Sequence, residues 1–358
     1  MSDAASNRRD FLTGRAVRDI VERAGGRLAD DLIAQPVPGR GPTLLLRTTA
    51  MACDFDVMLN PDRSSDQLDA ASSALDLVHE LEQQLSVYRP DSVLSELNRQ
   101  AFREPVTVDA ELFELLVRGK WLSDITEGAF DPAAGAVVNL WRRCRQESRI
   151  PTAAEIDAAL ACGGIRQVEF DPSKLTVAFL REEIEFNLGA IGKGYAVDRV
   201  AEAMLARGVD NWLVHGGRSS IRAHGTHAEH DGWPVGLRNP LLPDKPFATL
   251  LLLRDAALGT SGTAVQWFRH EGKRYGHILD PRSGWPVETL LSVSVIAPDA
   301  AMADALSTAF FVLGVEKSLK CCDNLPASVG AIFFPLPRQG QMLEPVLHNV
   351  PGEKWFPT

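Results

Sequence analysis

Apolar residues recur at three- and four-residue intervals between Ser65 and Leu85, at Leu68, Ala71, Leu75, Val78, Leu81 and Leu85. That spacing lines one face of a helix and predicts a long amphipathic element. Further helices are predicted from a Ser92 cap, over Asp109 to Ile125 with a stop at Gly128, over Pro151 to Gly163 with Thr152 as cap, over 195–207 and over 301–313. The pattern shortens to β-like runs in Leu44 to Leu59, in Gln167 to Leu180 around Asp171-Pro-Ser, and in Asn211 to His215 before Gly216-Gly217. Strands dominate the last third, among them Phe247 to Leu253 and Leu291 to Ile296. Helices and strands in this order predict an α+β fold, with mixed, largely antiparallel sheets and packed helices in two lobes.

The first residues break the pattern. Ser6 to Gly14 resembles a twin-arginine export signal, but Val17 to Arg23 is charged and amphipathic where an apolar stretch is needed. A cytoplasmic location is expected, with periplasmic export through a degenerate signal as the alternative. Asp31 to Pro42 is rich in Pro and Gly and reads as a linker, so the chain divides into 1–43, an N-terminal helix and linker, and 44–358, the folded body. No apolar run is long enough to span a membrane. Composition adds one exclusion: 37 basic against 47 acidic residues give a net charge of -10, which disfavours tracking a nucleic-acid backbone. Five cysteines without a Cys-x-x-Cys pair suggest scattered buried thiols rather than a zinc cage.

Candidate chemistry gathers at a few places. Glu185 to Asp198 runs from a short strand through glycines 189, 192 and 194 into a helix, with Lys193 inside the turn. Amides opening the helix and one lysine suit an anion, although the same pattern serves as a plain strand-to-helix connector. Asp304 and Thr308 lie four apart on a predicted helix, so they share a face. Their oxygens suit a Mg²⁺ that keeps waters, or else a local capping bond. His277 precedes Asp280-Pro-Arg-Ser-Gly284 and could exchange a proton or hydrogen-bond a ligand. Asp131, in a Gly-Ala-Phe-Asp-Pro turn, could satisfy backbone amides or orient a heterocycle. Histidines 215, 224, 227 and 230 match no zinc spacing and are read as a solvated loop.

Six ordered motifs link these places: Leu85-Ser-Val-Tyr-Arg-Pro-Asp-Ser with Asn98, Gly128-Ala-Phe-Asp-Pro132, Gly189-Ala-Ile-Gly-Lys-Gly-Tyr-Ala-Val-Asp198, Thr260-Ser-Gly262, His277-Ile-Leu-Asp-Pro-Arg-Ser-Gly284 and Ala303-Asp-Ala-Leu-Ser-Thr308. In this order they resemble the ApbE family of flavin transferases, over about three quarters of the chain. The resemblance implies an enzyme, an FAD:protein FMN transferase that uses FAD as substrate and Mg²⁺ to attach FMN to a threonine of an acceptor protein, releasing AMP. It implies FAD contacts at Met51, Tyr88, Ala129, Phe130, Asp131, Asn187, Lys193 and Ile278, with FAD in a groove between the lobes. It implies metal ligands at the Ala190 carbonyl, Asp304 and Thr308, and catalytic roles for His277 and Asp304.

The chain departs from the family pattern at Asn187 and Arg218, where the family commonly has Asp, and at Thr263-Ala264 for Asp-Tyr; Ser283 replaces the commoner Thr. These departures keep two alternatives open: hydrolysis of FAD to FMN and AMP, and an FAD-binding relative without transfer activity.

Overall fold

A computed structural model describes residues 41–61, 63–241, 246–263, 267–337 and 343–357. The twin-arginine-like segment, the charged helix and most of the linker lie outside the described residues. The body opens with a hairpin, β1 (Leu44–Ala50) and β2 (Cys53–Leu59), followed by α1 (Ser65–Leu85) and α2 (Val93–Gln100). Next come β3 (Val106–Thr107), α3 (Ala110–Ile125), α4 (Gly135–Gln146), α5 (Ala153–Leu160), β4 (Val168–Asp171) and β5 (Thr176–Phe179). After α6 (Gly192–Ala206) the chain is mostly strand: β6 (Trp212–Gly216), β7 (Ser220–His224), β8 (Trp233–Arg238), β9 (Pro246–Leu253), β10 (Ala256–Gly262), β11 (Trp267–His270), β12 (Lys273–Gly276) and β13 (Leu290–Ala297). A long α7 (Ala300–Cys322), β14 (Gly330–Pro335), β15 (Val346–His348) and β16 (Trp355–Pro357) complete it.

The local reasons for these elements were largely legible. Ser92 and Asp109 accept from the first-turn amides of Ser95 in α2 and Leu112 in α3, and Thr152 with Glu155 forms a reciprocal capping box on α5. The helix α4 was not predicted; Gly135, at its start, has its amide bonded to the Glu185 carbonyl, a distant contact that local spacing does not reveal. Residues 257–262 contribute to β10, and Tyr275 and Gly276 end β12. The helix predicted over 301–313 continues to Cys322 past a break at Gly314, whose φ of 73° leaves the helical region.

Eight strands form the main sheet in the order β1-β2-β6-β7-β10-β13-β14-β15, every pairing antiparallel. The expected mixed character reduces, among the described residues, to one isolated parallel bridge between Ala134 and Glu185. Alternation along β2 divides the sheet's two faces. Phe55 and Val57 point into the main core with α1, α6 and α7, and Met58 points into a second core beneath the small sheet β16-β9-β8. A third cluster joins Trp141 and Leu140 of α4 to Ile156, with Phe268 and Tyr275 of β11–β12 packed on it.

Close helix–sheet contact depends on two glycines. A Cβ at Gly194 of α6 would lie 2.1 Å from the Ala300 carbonyl oxygen, and one at Gly259 of β10 would lie 2.3 Å from the Ala303 carbonyl carbon. Both face α7, so the start of α7 is held against α6 and the sheet at backbone contact distance. Asp198 completes the joint: its carboxylate accepts from the amides of Ala300 and Ala301 at 2.9 and 2.8 Å and from Arg222 at 2.8 Å. Burial and the neighbouring Asp299 push the Asp198 pKa up, against the pull of Arg222 and the two amides.

Candidate active site

The site is built where α6 begins beside the first turns of α7. Segment 185–187 is held from two sides before it reaches α6. The Asn98 side chain donates to the Phe186 carbonyl (3.0 Å) and accepts from the Phe186 amide (2.8 Å), while the Asn187 amide donates to the Pro132 carbonyl (2.7 Å). Two of the sequence motifs therefore meet on the segment that leads into a third. Asn187 then accepts from the Gly189 amide at 3.0 Å, an Asx turn that aspartate would make equally well. The departure at 187 removes a charge and keeps this bond.

Beyond the turn, α6 starts without a side-chain cap at Ile191, and its Gly192 amide donates to the Leu188 carbonyl at 2.7 Å. Its Gly194 amide donates to Asp304 Oδ2 at 2.8 Å, and the Ser220 hydroxyl donates to the same oxygen at 2.7 Å. Asp304 is buried, and burial pushes its pKa up; Lys193 is the opposing charge that pulls it down. One turn on, Thr308 lies 3.2 Å from the Ser261 hydroxyl, which also meets the Ser307 hydroxyl at 2.8 Å. The local-capping reading of Asp304 and Thr308 does not describe these contacts, since their partners come from α6, β7 and β10.

The donor set decides what this corner can hold. One buried carboxylate, without a full counter-charge, stands among hydroxyl groups. Among the described residues no three His, Cys, Asp or Glu side chains group as a metal cage. Hard oxygens in small number fit a Mg²⁺ that keeps waters and takes the rest of its shell from substrate, and they do not fit a softer transition metal.

Met51 and Ala52 form the two-residue turn of the β1–β2 hairpin with φ of 50° and 59°, a conformation that favours Asn or Gly. The turn is tied to α1 by the Met51 amide, which donates to Glu82 at 2.6 Å. It brings Cys53 beside Lys193, whose charge partly offsets the burial that raises the thiol's pKa. Gly217 closes this side: a Cβ there would lie 3.3 Å from Cys53 and 3.9 Å from the Lys193 stem.

The remaining predicted contacts are spread around this corner. Ala129 and Phe130 are buried in the main core. The Asp131 carboxylate accepts from the amides of Ala133 (2.8 Å) and Ile165 (3.2 Å), the first of the two roles read from its turn. Ile278 is in the main core, and its carbonyl accepts from Val287, while His277 is exposed beside it. Tyr88 is 70% exposed, with the Arg142 guanidinium 5.2 Å from its ring centre. It lines a cleft of about 390 Å³ with Glu182 to Glu185; Lys193, Asp304 and Thr308 do not line that cleft.

Two sequence readings change. The histidines 215, 224, 227 and 230 are not a solvated loop. His215 is buried on β6, His224 pairs with Asp255 at 2.7 Å, and His227 is buried, stacked on Trp233 and bonded to Asn60. Long-range packing, invisible in local spacing, buries His215 and His227, while His224 and His230 stay partly exposed. Arg218, the second departure, acts on Asp56 and His215, which lie on the other face of the sheet from Asp304. Ser220 was not singled out at all: a serine after a Gly-Gly-Arg-Ser turn carries no spacing signal for its partner 84 positions away. All five cysteines are free, as expected of scattered thiols.

With this geometry in place, comparison with known proteins is direct. A model of the ApbE family matches residues 51–333. The chain is 35% identical over 280 residues to the FAD:protein FMN transferase of Treponema pallidum (strain Nichols), covering 74% of this chain and 77% of that protein. It is 36% identical over 248 residues to the FAD:protein FMN transferase of Klebsiella pneumoniae (strain 342), covering 69% and 76%. Among solved structures it resembles the ApbE protein of Thermotoga maritima (TM-score 0.75, 29% identity, 85% of this chain and 96% of that one). It also resembles the apo flavinyl transferase ApbE of Pseudomonas stutzeri (TM-score 0.73, 28% identity, 86% and 95%). The family model spans the hairpin turn with β2, the α6 entrance and the Asp304 helix alike, and the chain belongs to the ApbE family.

Proposed function

We propose that this chain is a Mg²⁺-dependent FAD:protein FMN transferase that moves FMN from FAD to a threonine of an acceptor protein. One observation carries the reading: a buried, incompletely compensated Asp304 stands at the uncapped start of α6 beside Lys193, in a chain of this family. The Ala190 carbonyl, Asp304 and Thr308 would hold the metal. When bound, Mg²⁺ supplies positive charge that offsets the diphosphate and the leaving group.

The chain's own groups do the rest. Lys193, beside the positive end of α6, orients the diphosphate as a point charge. The acceptor hydroxyl oxygen attacks the phosphorus of the FMN half, the P–O bond to AMP breaks, and AMP leaves with the electron pair. His277, exposed next to the buried Ile278, takes the hydroxyl proton. Ser220 and the Gly194 amide keep the Asp304 carboxylate in one orientation during the exchange.

The test incubates the purified chain with FAD, Mg²⁺ and a threonine-containing acceptor domain. In-gel flavin fluorescence on the acceptor, with one AMP released per label, is expected. AMP release without labelled acceptor would replace transfer by hydrolysis, and retained FAD with neither product would make the chain a binding protein.

A further inference from the structure

Outside the nucleotide corner, the β11–β12 hairpin carries a feature that the reaction does not use. Its inner face is anchored: Phe268 and Tyr275 stack at 5.4 Å and pack on Trp141 of α4 at 6.1 and 5.8 Å. Its outer face, by strand alternation, presents Trp267, Arg269 and Arg274, all exposed. Arg269 and Arg274 are direct cross-strand partners, and both guanidiniums lie over the Trp267 ring, at 5.5 and 4.1 Å from its centre.

Like charges placed opposite each other destabilise a hairpin, and the shared ring offsets only part of that. In a chain with ten more acidic than basic groups, carboxylate partners are plentiful, yet among the described residues neither arginine has an ion pair. The anchored inner face holds this pair of charges in place, where a flexible loop would let them separate. The arrangement is therefore complementary to carboxylates supplied from outside. Its position is informative too: β12 ends at Gly276, and the next residue is His277.

We propose that this outer face docks an acidic segment of the acceptor polypeptide, next to the hydroxyl that receives the flavin nucleotide. The inference rests on the transfer reading above, because it names the partner of that same site. A carboxylate takes a guanidinium in two parallel hydrogen bonds, and Trp267 offers an apolar surface to the side chain between two such acids. A nucleic acid fits less well, since two arginines on a chain of net charge -10 do not offset a run of phosphates.

Two rhodamine-labelled twelve-residue peptides test this, each with one threonine and identical except for four flanking positions that are Asp in one and Asn in the other. Fluorescence anisotropy with the full chain should show the acidic peptide binding about tenfold more tightly at low salt. Arg269→Gln/Arg274→Gln should reduce that preference to about twofold and Arg269→Glu/Arg274→Glu should abolish or reverse it. High salt should also erase it, because screening shortens the reach of exposed charges. Equal binding of the two peptides by the parent chain, or a preference that survives charge reversal, overturns the proposal. FAD affinity, read by flavin fluorescence in the same samples, should be unchanged in both variants. Failure of the parent chain to bind FAD would instead strike the transfer reading, independently of the peptide result.

Discussion

The main sheet buries an aspartate on each of its two faces, and the two are treated in opposite ways. Asp56, on β2, meets Arg47 through two hydrogen bonds of 2.7 Å and His215 at 3.2 Å. Burial alone would raise its pKa, but Arg47 and His215 together hold it below the usual carboxylate range. Asp304, on the opposite face, has two neutral donors and one nearby lysine, and burial prevails. The same residue type, buried on both faces, therefore forms a stabilising ion pair on one face and on the other is a carboxyl group whose ionised form is only partly compensated. A fold keeps a buried charge of the second kind only at a cost, so its presence marks a place prepared for a ligand.

The comparison is tested most severely by removing each charge in turn. Asp304→Asn should lower AMP release in the transfer assay by about 10²–10³-fold while thermal unfolding stays near the parent value. Loss of folding with retained specific activity would put Asp304 in the same class as Asp56. Asp56→Asn should do the converse, lowering the melting temperature by about 5 °C with turnover changed little. The loss is smaller than for a wholly enclosed pair because Arg47 is half exposed and remains solvated.

A subtler change sharpens the difference. Ser220→Ala removes one neutral donor from Asp304 and should weaken Mg²⁺ affinity about tenfold, measured by calorimetry with FAD present. An unchanged affinity would mean that the Gly194 amide alone orients the carboxylate. The smallest expected effect concerns pH. Burial holds folded His215 below its ordinary value of 6.5. As pH falls below that value the unfolded chain takes up a proton that the folded chain does not, so this contribution to stability is full above about 6.5 and is lost on acidification. Denaturant unfolding at pH 7.5 and 5.5 should show a smaller acid loss for His215→Gln than for the parent; parallel losses would remove His215 from the account.

Much of this site was readable in the chain because it depends on local chemistry. The glycine-spaced turn around Lys193, the four-residue interval of Asp304 and Thr308, and the order of six motifs are all properties of short segments, and the family model spans them. The caps at Ser92, Asp109 and Thr152 were equally visible, since a cap and its amide are three residues apart. Periodicity failed where partners are distant. It missed α4, whose first amide is held by Glu185, and it took the buried His215 and His227 for part of a solvated loop.

Residue type and spacing thus determined every helix but α4, most strands, the ApbE resemblance and the identity of the groups offered to a nucleotide. Only the tertiary structure decided which buried charge is compensated. Asp56 and Asp304 are each one carboxylate in an apolar context when read along the chain. The sheet pairs the first with His215 and Arg47 on one face, and sets the second against α6 and Ser220 on the other. Pairing across strands and close helix contact through Gly194 and Gly259 bring together residues 84 to 110 positions apart, and electrostatic compensation depends on distance in space.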